Sequence, residues 1–192
     1  MDAQEWKALL AIERAFREAK RKGGDLVACK AGCDACCARP FAITEADAKR
    51  LRRGLAEADG EVAEGIRERA RRYKEALAVE FPGDLGSGTL TADPEWRQWF
   101  FDRWAGPACP VLDPESRTCL LRKHRPAACR LYGPLIRIGG AVSGPCGLCY
   151  EGVEEGELER YAVDVRGDWT PVEGGAETIV ALAVPATGED GG

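Results

Sequence analysis

The 192-residue chain carries 27 Lys and Arg against 32 Asp and Glu, with 45% hydrophobic and 31% charged residues. That is globular composition with room for an ordinary core, and its acidic balance argues against a generic nucleic-acid binder, which would show a basic excess. No apolar run is long enough to span a bilayer and no signal-peptide core follows Met1, so the expected setting is cytoplasmic, without a membrane partner.

Residues 3–22 place Trp6, Leu9, Ile12, Phe16 and Ala19 at helical spacing, with Lys20, Arg21 and Lys22 before Gly23 and Gly24. This is an amphipathic helix whose last-turn cations complement its C-terminus. The stretch that follows, Cys29-Lys-Ala-Gly-Cys33-Asp-Ala-Cys36-Cys37, packs four of the nine cysteines into a CxxxCxxCC array. Thiolates at CxxxCxxC spacing can converge on one metal centre, because each short gap lets the backbone turn back toward the same point. Cys36 and Cys37 are neighbours whose side chains diverge by about 100° on a helix, so Cys37 is expected to serve a second centre or to bridge two.

Thr44, followed by Glu45 and Asp47, marks a helix start, with the helix running to about Ala58. Glu61–Glu80 is a second helix with Val62, Ile66, Ala70, Tyr73 and Leu77 as its apolar stripe, ended by Pro82-Gly83. Pro82–Asp93 reads as a loop without the GxxxxGK pattern that cradles phosphate. Asp93-Pro94 opens another helix, in which Trp96, Phe100 and Trp104 recur on one face as core while Trp99 and Phe101 point elsewhere, toward a cleft.

Cysteines then return. Cys109-Pro110-Val111-Leu112, a turn at Asp113–Ser116, and Cys119-Leu120-Leu121 form a small hairpin that brings Cys109 and Cys119 near one another. Arg125-Pro126-Ala-Ala-Cys129-Arg130-Leu-Tyr132 is a helical turn starting at Pro126, and Cys146-Gly-Leu-Cys149 is a CxxC knuckle suited to paired ligation. Glu151–Tyr161 reads as an acidic helix, and the stretches around Gly167 and Gly174 as loops. Thr178–Val184 is either a strand or a buried helix, and Gly188–Gly192 is expected to be disordered. The expected fold is mainly α, α+β with a short hairpin and an irregular, metal-stapled cysteine-rich centre. The expected organisation is an N-terminal helix (1–28), a cysteine-cluster domain (29–150) with a helical insertion (44–104), and a C-terminal extension (151–192).

An odd number of cysteines in short motifs, in a reducing compartment, favours metal over a disulfide framework. Spacing leaves zinc and iron open: CxxxCxxC leans toward a 4Fe-4S cluster, whereas the knuckle and hairpin lean toward zinc. CxxxCxxC is also the radical S-adenosylmethionine signature, but the flanking helices lack the β/α alternation of that barrel. A four-thiolate centre carries a charge of about −2, which Arg125 and Arg130 are placed to offset. The only histidine, His124, has basic neighbours and reads as solvated, and a single histidine leaves neither an HExxH site nor a Ser-His-Asp triad. Trp99 and Tyr132 could bound a small cleft, but core packing is the expectation for both.

The ordered set of Cys29, Cys33, Cys36 and Cys37, then Cys109-Pro110 and Leu112, Cys119, and Arg125-Pro126, Cys129, Arg130 and Tyr132 resembles the YkgJ-like cysteine-cluster family, described as a zinc- or iron-chelating domain. The resemblance spans roughly Cys29–Cys149. It implies metal binding without a settled reaction, and a related flagellin lysine methylase with a similar cysteine set implies that some relatives carry iron-sulfur clusters. The candidate ligands are Cys29, Cys33, Cys36, Cys37, Cys109, Cys119, Cys129, Cys146 and Cys149. Two functions follow: a metal-binding protein whose zinc or iron staples distant segments, with a protein partner, or an iron-sulfur redox or modifying enzyme acting on a protein substrate.

Overall fold

The computed structural model describes residues 3–78, 80–143, 145–167 and 175–186. In chain order its elements begin with α1 (Ala3–Gly23), β1 (Ile43–Thr44), α2 (Glu45–Ala56), α3 (Gly60–Leu77), β2 (Gly83–Asp84), β3 (Thr89–Leu90) and α4 (Pro94–Arg103). After a cysteine-bearing stretch come α5 (Ala127–Leu131), β4 (Ile136–Ile138), β5 (Ala141–Val142), α6 (Glu155–Leu158), β6 (Val163–Asp164), β7 (Glu177–Thr178) and α7 (Val180–Ala183). The fold is mainly α, α+β, and among the described residues no sheet exceeds three strands. No helix among them is long and apolar enough to cross a membrane. The expectations for Gly174 and Gly188–Gly192 lie outside the described residues.

The chain divides into two compact units, Met1–Cys36 with Ala127–Glu173 and Cys37–Pro126 with Gly174–Gly192, so the division falls between the adjacent cysteines of the first array. In the first unit, α1 turns Leu9, Ile12, Ala15 and Ala19 inward, and Ala15 and Ala19 pack with Ile136 of β4 and Val163 of β6. The small sheet runs β5-β4-β6, antiparallel on one side of β4 and parallel on the other. Lys22 and Arg130 help to secure this unit. Lys22 donates from Nζ to the Ala162 carbonyl at 3.1 Å, and Arg130 of α5, 5% exposed, pairs with Glu13 of α1.

In the second unit, Thr44 caps α2 by accepting from the Asp47 N–H at 3.2 Å, and Asp93 caps α4 by accepting from Glu95 and Trp96. These are the helix starts expected from their side-chain chemistry. The core gathers Tyr73 and Leu77 of α3, Phe81, Leu90, Phe100 of α4, Trp104 and Ile179, with Tyr73 stacked on Trp104 at 4.8 Å between ring centroids.

Several expectations are corrected. Pro82–Asp93 contains the β2–β3 hairpin, its turn held by Asp84 accepting from the Gly86 and Ser87 N–H groups. Thr178–Val184 is both of its alternatives in succession, the end of β7 and then α7. Glu151–Tyr161 is helical only from Glu155 onward, closing with a 3-10 turn at Glu159–Tyr161. Of the aromatic stripe, Phe100 and Trp104 are buried but Trp96 is 47% exposed, because it sits in the first turn of a ten-residue helix and projects past the core. Trp99 and Tyr132 are exposed rather than packed, with the Arg103 guanidinium lying 5.4 Å from the Trp99 ring.

Candidate metal centre

All nine cysteines lie among the described residues as thiols. The first unit holds Cys29, Cys33, Cys36, Cys129, Cys146 and Cys149, and the second holds Cys37, Cys109 and Cys119. Cys36 and Cys37 lie in a 3-10 turn (Ala35–Cys37), a geometry in which successive side chains are about 120° apart.

In the first unit the array and the knuckle meet. The Tyr150 N–H donates to the Leu26 carbonyl at 2.6 Å, tying the end of the knuckle to the 3-10 turn (Gly24–Leu26) that leads into the array. Tyr150 adopts a left-handed backbone (φ 61°), is buried, and accepts from the Leu135 N–H at 3.2 Å through its hydroxyl. The knuckle closes through the Cys149 N–H on the Cys146 carbonyl at 2.7 Å, and the array turns through the Cys33 N–H on Lys30 at 3.1 Å. Gly133 completes the frame: its carbonyl accepts from the Cys146 N–H at 3.0 Å, and a Cβ placed on it would lie 2.5 Å from the Cys29 sulfur. With φ at 130°, only glycine suits this backbone, and only its missing side chain leaves space for the thiol.

The electrostatics record how near these sulfurs are. Burial pushes the Cys29 thiol up to about 12, helped by a hydrogen bond with Cys149 and by the charges of Cys149, Cys33 and Cys146. Burial likewise raises Cys146, with Cys149, Cys33 and Cys36 adding to it, while the Leu148 N–H opposes the shift by donating to its sulfur. Cys29, Cys33, Cys36, Cys146 and Cys149 are therefore neighbours. Among the described residues no three His, Cys, Asp or Glu side chains already stand as a finished ligand set. A thiol that ligates a metal ion gives up its proton to do so. The donor chemistry fits a thiophilic ion: soft ligands from two turns, an N–H aimed at sulfur, and space made by a glycine.

The second unit joins its cysteines through backbone. The Cys109 N–H donates to the Cys37 carbonyl at 2.7 Å, Leu112 N–H donates to the Cys109 carbonyl at 3.0 Å, and Leu112 bridges Cys119 across the expected hairpin. His124 is not solvated: its side chain is 16% exposed and its Nε2 lies 3.0 Å from Glu57. Its ring covers Gly54, where a Cβ would meet the imidazole Cβ and Cγ at 2.5 Å. Basic neighbours in sequence misled here because a 3-10 turn (Arg122–His124) points this one side chain onto α2.

Sequence reasoning passed over Gly133 and Tyr150. The only signal was position, since Tyr150 directly follows the knuckle. Residues 28–147 match the family named CxxCxxCC and described as "Putative zinc- or iron-chelating domain". No curated protein and no solved structure gives a match.

Proposed function

Because the chain belongs to the CxxCxxCC family, we propose that it is a metal-chelating protein whose first centre is a four-thiolate site formed by Cys29, Cys33, Cys146 and Cys149. The observation that carries this reading is that array and knuckle meet: the Tyr150 N–H bonds the Leu26 carbonyl, Cys29 is hydrogen-bonded to Cys149, and Gly133 leaves space for the Cys29 sulfur. Four protein thiolates make a closed site that holds structure, whereas sites that bind and activate substrate keep a position open. Zinc suits such a set. Bound there, the ion supplies cross-linking of the array to the knuckle; Gly133 gives the Cys29 sulfur its space, and the Leu148 N–H stabilises the Cys146 thiolate. Arg130 is engaged with Glu13, so its contribution to the centre is to dock α5, which carries Cys129, onto α1.

A second reading, an iron-sulfur centre, is favoured by Cys36, whose charge also reaches Cys146. The CxxxCxxC trio and one knuckle thiol then make the ligand set, with redox or protein-modifying chemistry as its use. Elemental analysis and an absorption spectrum of anaerobically purified protein test both. Stoichiometric zinc without visible bands supports the first reading; iron with sulfide and broad visible absorption supports the second. Cys33→Ser, in the middle of the array, lowers bound metal and opens 29–37 to protease in either case. Protein that takes up neither metal overturns the proposal.

A further inference from the structure

A groove of about 540 Å³ runs along α1, whose stripe of Leu9, Ile12, Ala15 and Ala19 is turned to the core. One wall is the helix itself. The other is the chain leaving β6: the Val165 N–H donates to the Arg137 carbonyl at 2.9 Å, Val165 packs against the cluster of Ala15 and Ala19, and Arg166 and Gly167 then border the groove. Gly167 has φ at 119°, and no described residue stands within 4 Å of where its Cβ would be. The backbone turns there on a glycine, with open space beside it. All of these residues belong to the first unit.

Three cations line this groove, Lys7, Arg14 and Arg166, and the described residues that line it include no carboxylate. All three are exposed, and none makes an ion pair among the described residues. Other arginines are matched: Arg71 with Glu68 and Glu75, Arg97 with Glu177, Arg137 with Glu159 and Asp164. In a chain of net charge −5, three unmatched cations around one concavity reverse the local sign, and a concave wall focuses such a field. Ala8, Leu10 and Ala11 supply an apolar lining between them. Lys7 and Arg14 stand seven residues apart on the helix, so about 10 Å separates them along its axis.

We propose that this groove docks an extended acidic segment of a partner protein, its carboxylates pairing with Lys7, Arg14 and Arg166. In an extended chain alternate side chains point the same way, about 6.6 Å apart, so two or three such carboxylates cover the span from Lys7 to Arg14. The flexible stems of both cations take up the difference. The segment's backbone and intervening small side chains cover Ala8, Leu10 and Ala11. A nucleic acid fits less well, because the lining offers no aromatic face for a base. A compact free anion would leave the apolar lining bare and reach only part of the cation set. Exposed ion pairs are individually weak, so affinity comes from their sum and depends strongly on salt. No cysteine lines the groove, so peptide binding is read separately from metal content.

The test is fluorescence anisotropy on the full chain with a labelled peptide of alternating glutamate and alanine. The same peptide with glutamine for glutamate, free citrate as competitor and a labelled single-stranded oligonucleotide serve as comparisons. The glutamate peptide is expected to bind and the glutamine peptide not to. Binding should fade as ionic strength rises from about 0.1 to 1 M, which shortens the screening length from about 10 to 3 Å. Lys7→Glu and Arg14→Glu should each weaken it about 5- to 10-fold, through lost attraction and added repulsion. Lys49→Glu, the same charge change at an exposed position of the second unit, should leave it unchanged. Ala8→Phe, which fills the groove without altering charge, should abolish it. Thermal melts identify any variant that fails to fold, and Lys7→Gln and Arg14→Gln, at exposed positions, then carry the comparison. A glutamate peptide that does not bind, or that binds Lys7→Glu and Arg14→Glu as it binds Lys49→Glu, overturns the site. Tighter binding of the oligonucleotide, or displacement of the peptide by citrate at equal carboxylate concentration, overturns the assignment to an acidic peptide.

Discussion

Replacing Gly133 by alanine tests whether the first centre depends on the space beside Cys29. The added Cβ would lie 2.5 Å from the sulfur, about 1 Å inside ordinary contact, with the Phe16 ring edge next at 3.8 Å. Relief must come from the thiol, since the Gly133 carbonyl is held by the Cys146 N–H and Gly133 itself is bridged to Pro145. A displacement of that size exceeds the roughly 0.2 Å latitude of a metal–ligand distance, so the centre must distort or lose Cys29. Zinc affinity should fall by at least the 10- to 100-fold that mispositioned support costs a ligand set, roughly 1.4 to 2.7 kcal/mol. The backbone adds its own penalty, because alanine at φ 130° costs about 1–3 kcal/mol even without metal. Gly139→Ala separates the two effects: Gly139 also has a positive φ, 55°, but nothing lies within 4 Å of its Cβ position. Competition titration against a chromogenic chelator gives the affinity, and thermal melts with and without chelator give the stability. Gly133→Ala binding zinc as tightly as Gly139→Ala would refute the argument.

Three further outcomes follow from the structure. Gly54→Ala in α2 would ordinarily stabilise a helix by about 1 kcal/mol, but here its methyl meets His124, so a loss of about 1–3 kcal/mol is expected. His124→Ala should destabilise on its own but keeps the Cβ that the new methyl meets, so it is His124→Gly that should make Gly54→Ala nearly neutral, with metal content unchanged throughout; additive losses in denaturant melts of that double variant would contradict the packing. Glu13→Ala removes the carboxylate from a guanidinium that is 5% exposed, and should cost on the order of 2 kcal/mol, discounted from a fully buried pair because Glu13 is 42% exposed. A midpoint shift within error of wild type would show that the pair contributes nothing. Finally, Cys29, pushed up to about 12, and Cys146, also raised, hold their protons at neutral pH and lose them on ligation. Acid therefore favours the metal-free side, and zinc affinity should fall about 100-fold for each unit of pH lowered between about pH 8 and 6 from these two thiols alone. A dependence under tenfold across that span would mean the thiols are already ionised.

Much of this molecule was written in its local chemistry. The caps at Thr44 and Asp93, the stripe of α3, the turn at Asp113–Ser116 and the knuckle at Cys146–Cys149 depend on residues within a few positions of one another, so spacing and side-chain type sufficed to read them. The cysteine motifs named the chemistry for the same reason: thiols at two- and three-residue gaps serve a metal better than they serve a core. Tertiary structure alone decided the rest. Cys36 falls in one unit and Cys37 in the other, the division running through the 3-10 turn that holds them both. His124 left solvent because α2 offers it a glycine, and Trp96 stayed in solvent because α4 is too short to bury its first turn. Gly133 beside Cys29, and Arg69 beside Pro110, are contacts between residues 104 and 41 positions apart. No periodicity carries such pairs: each depends on where two separately folded segments come to rest, and the packing that brings them together is set by the whole core rather than by either sequence.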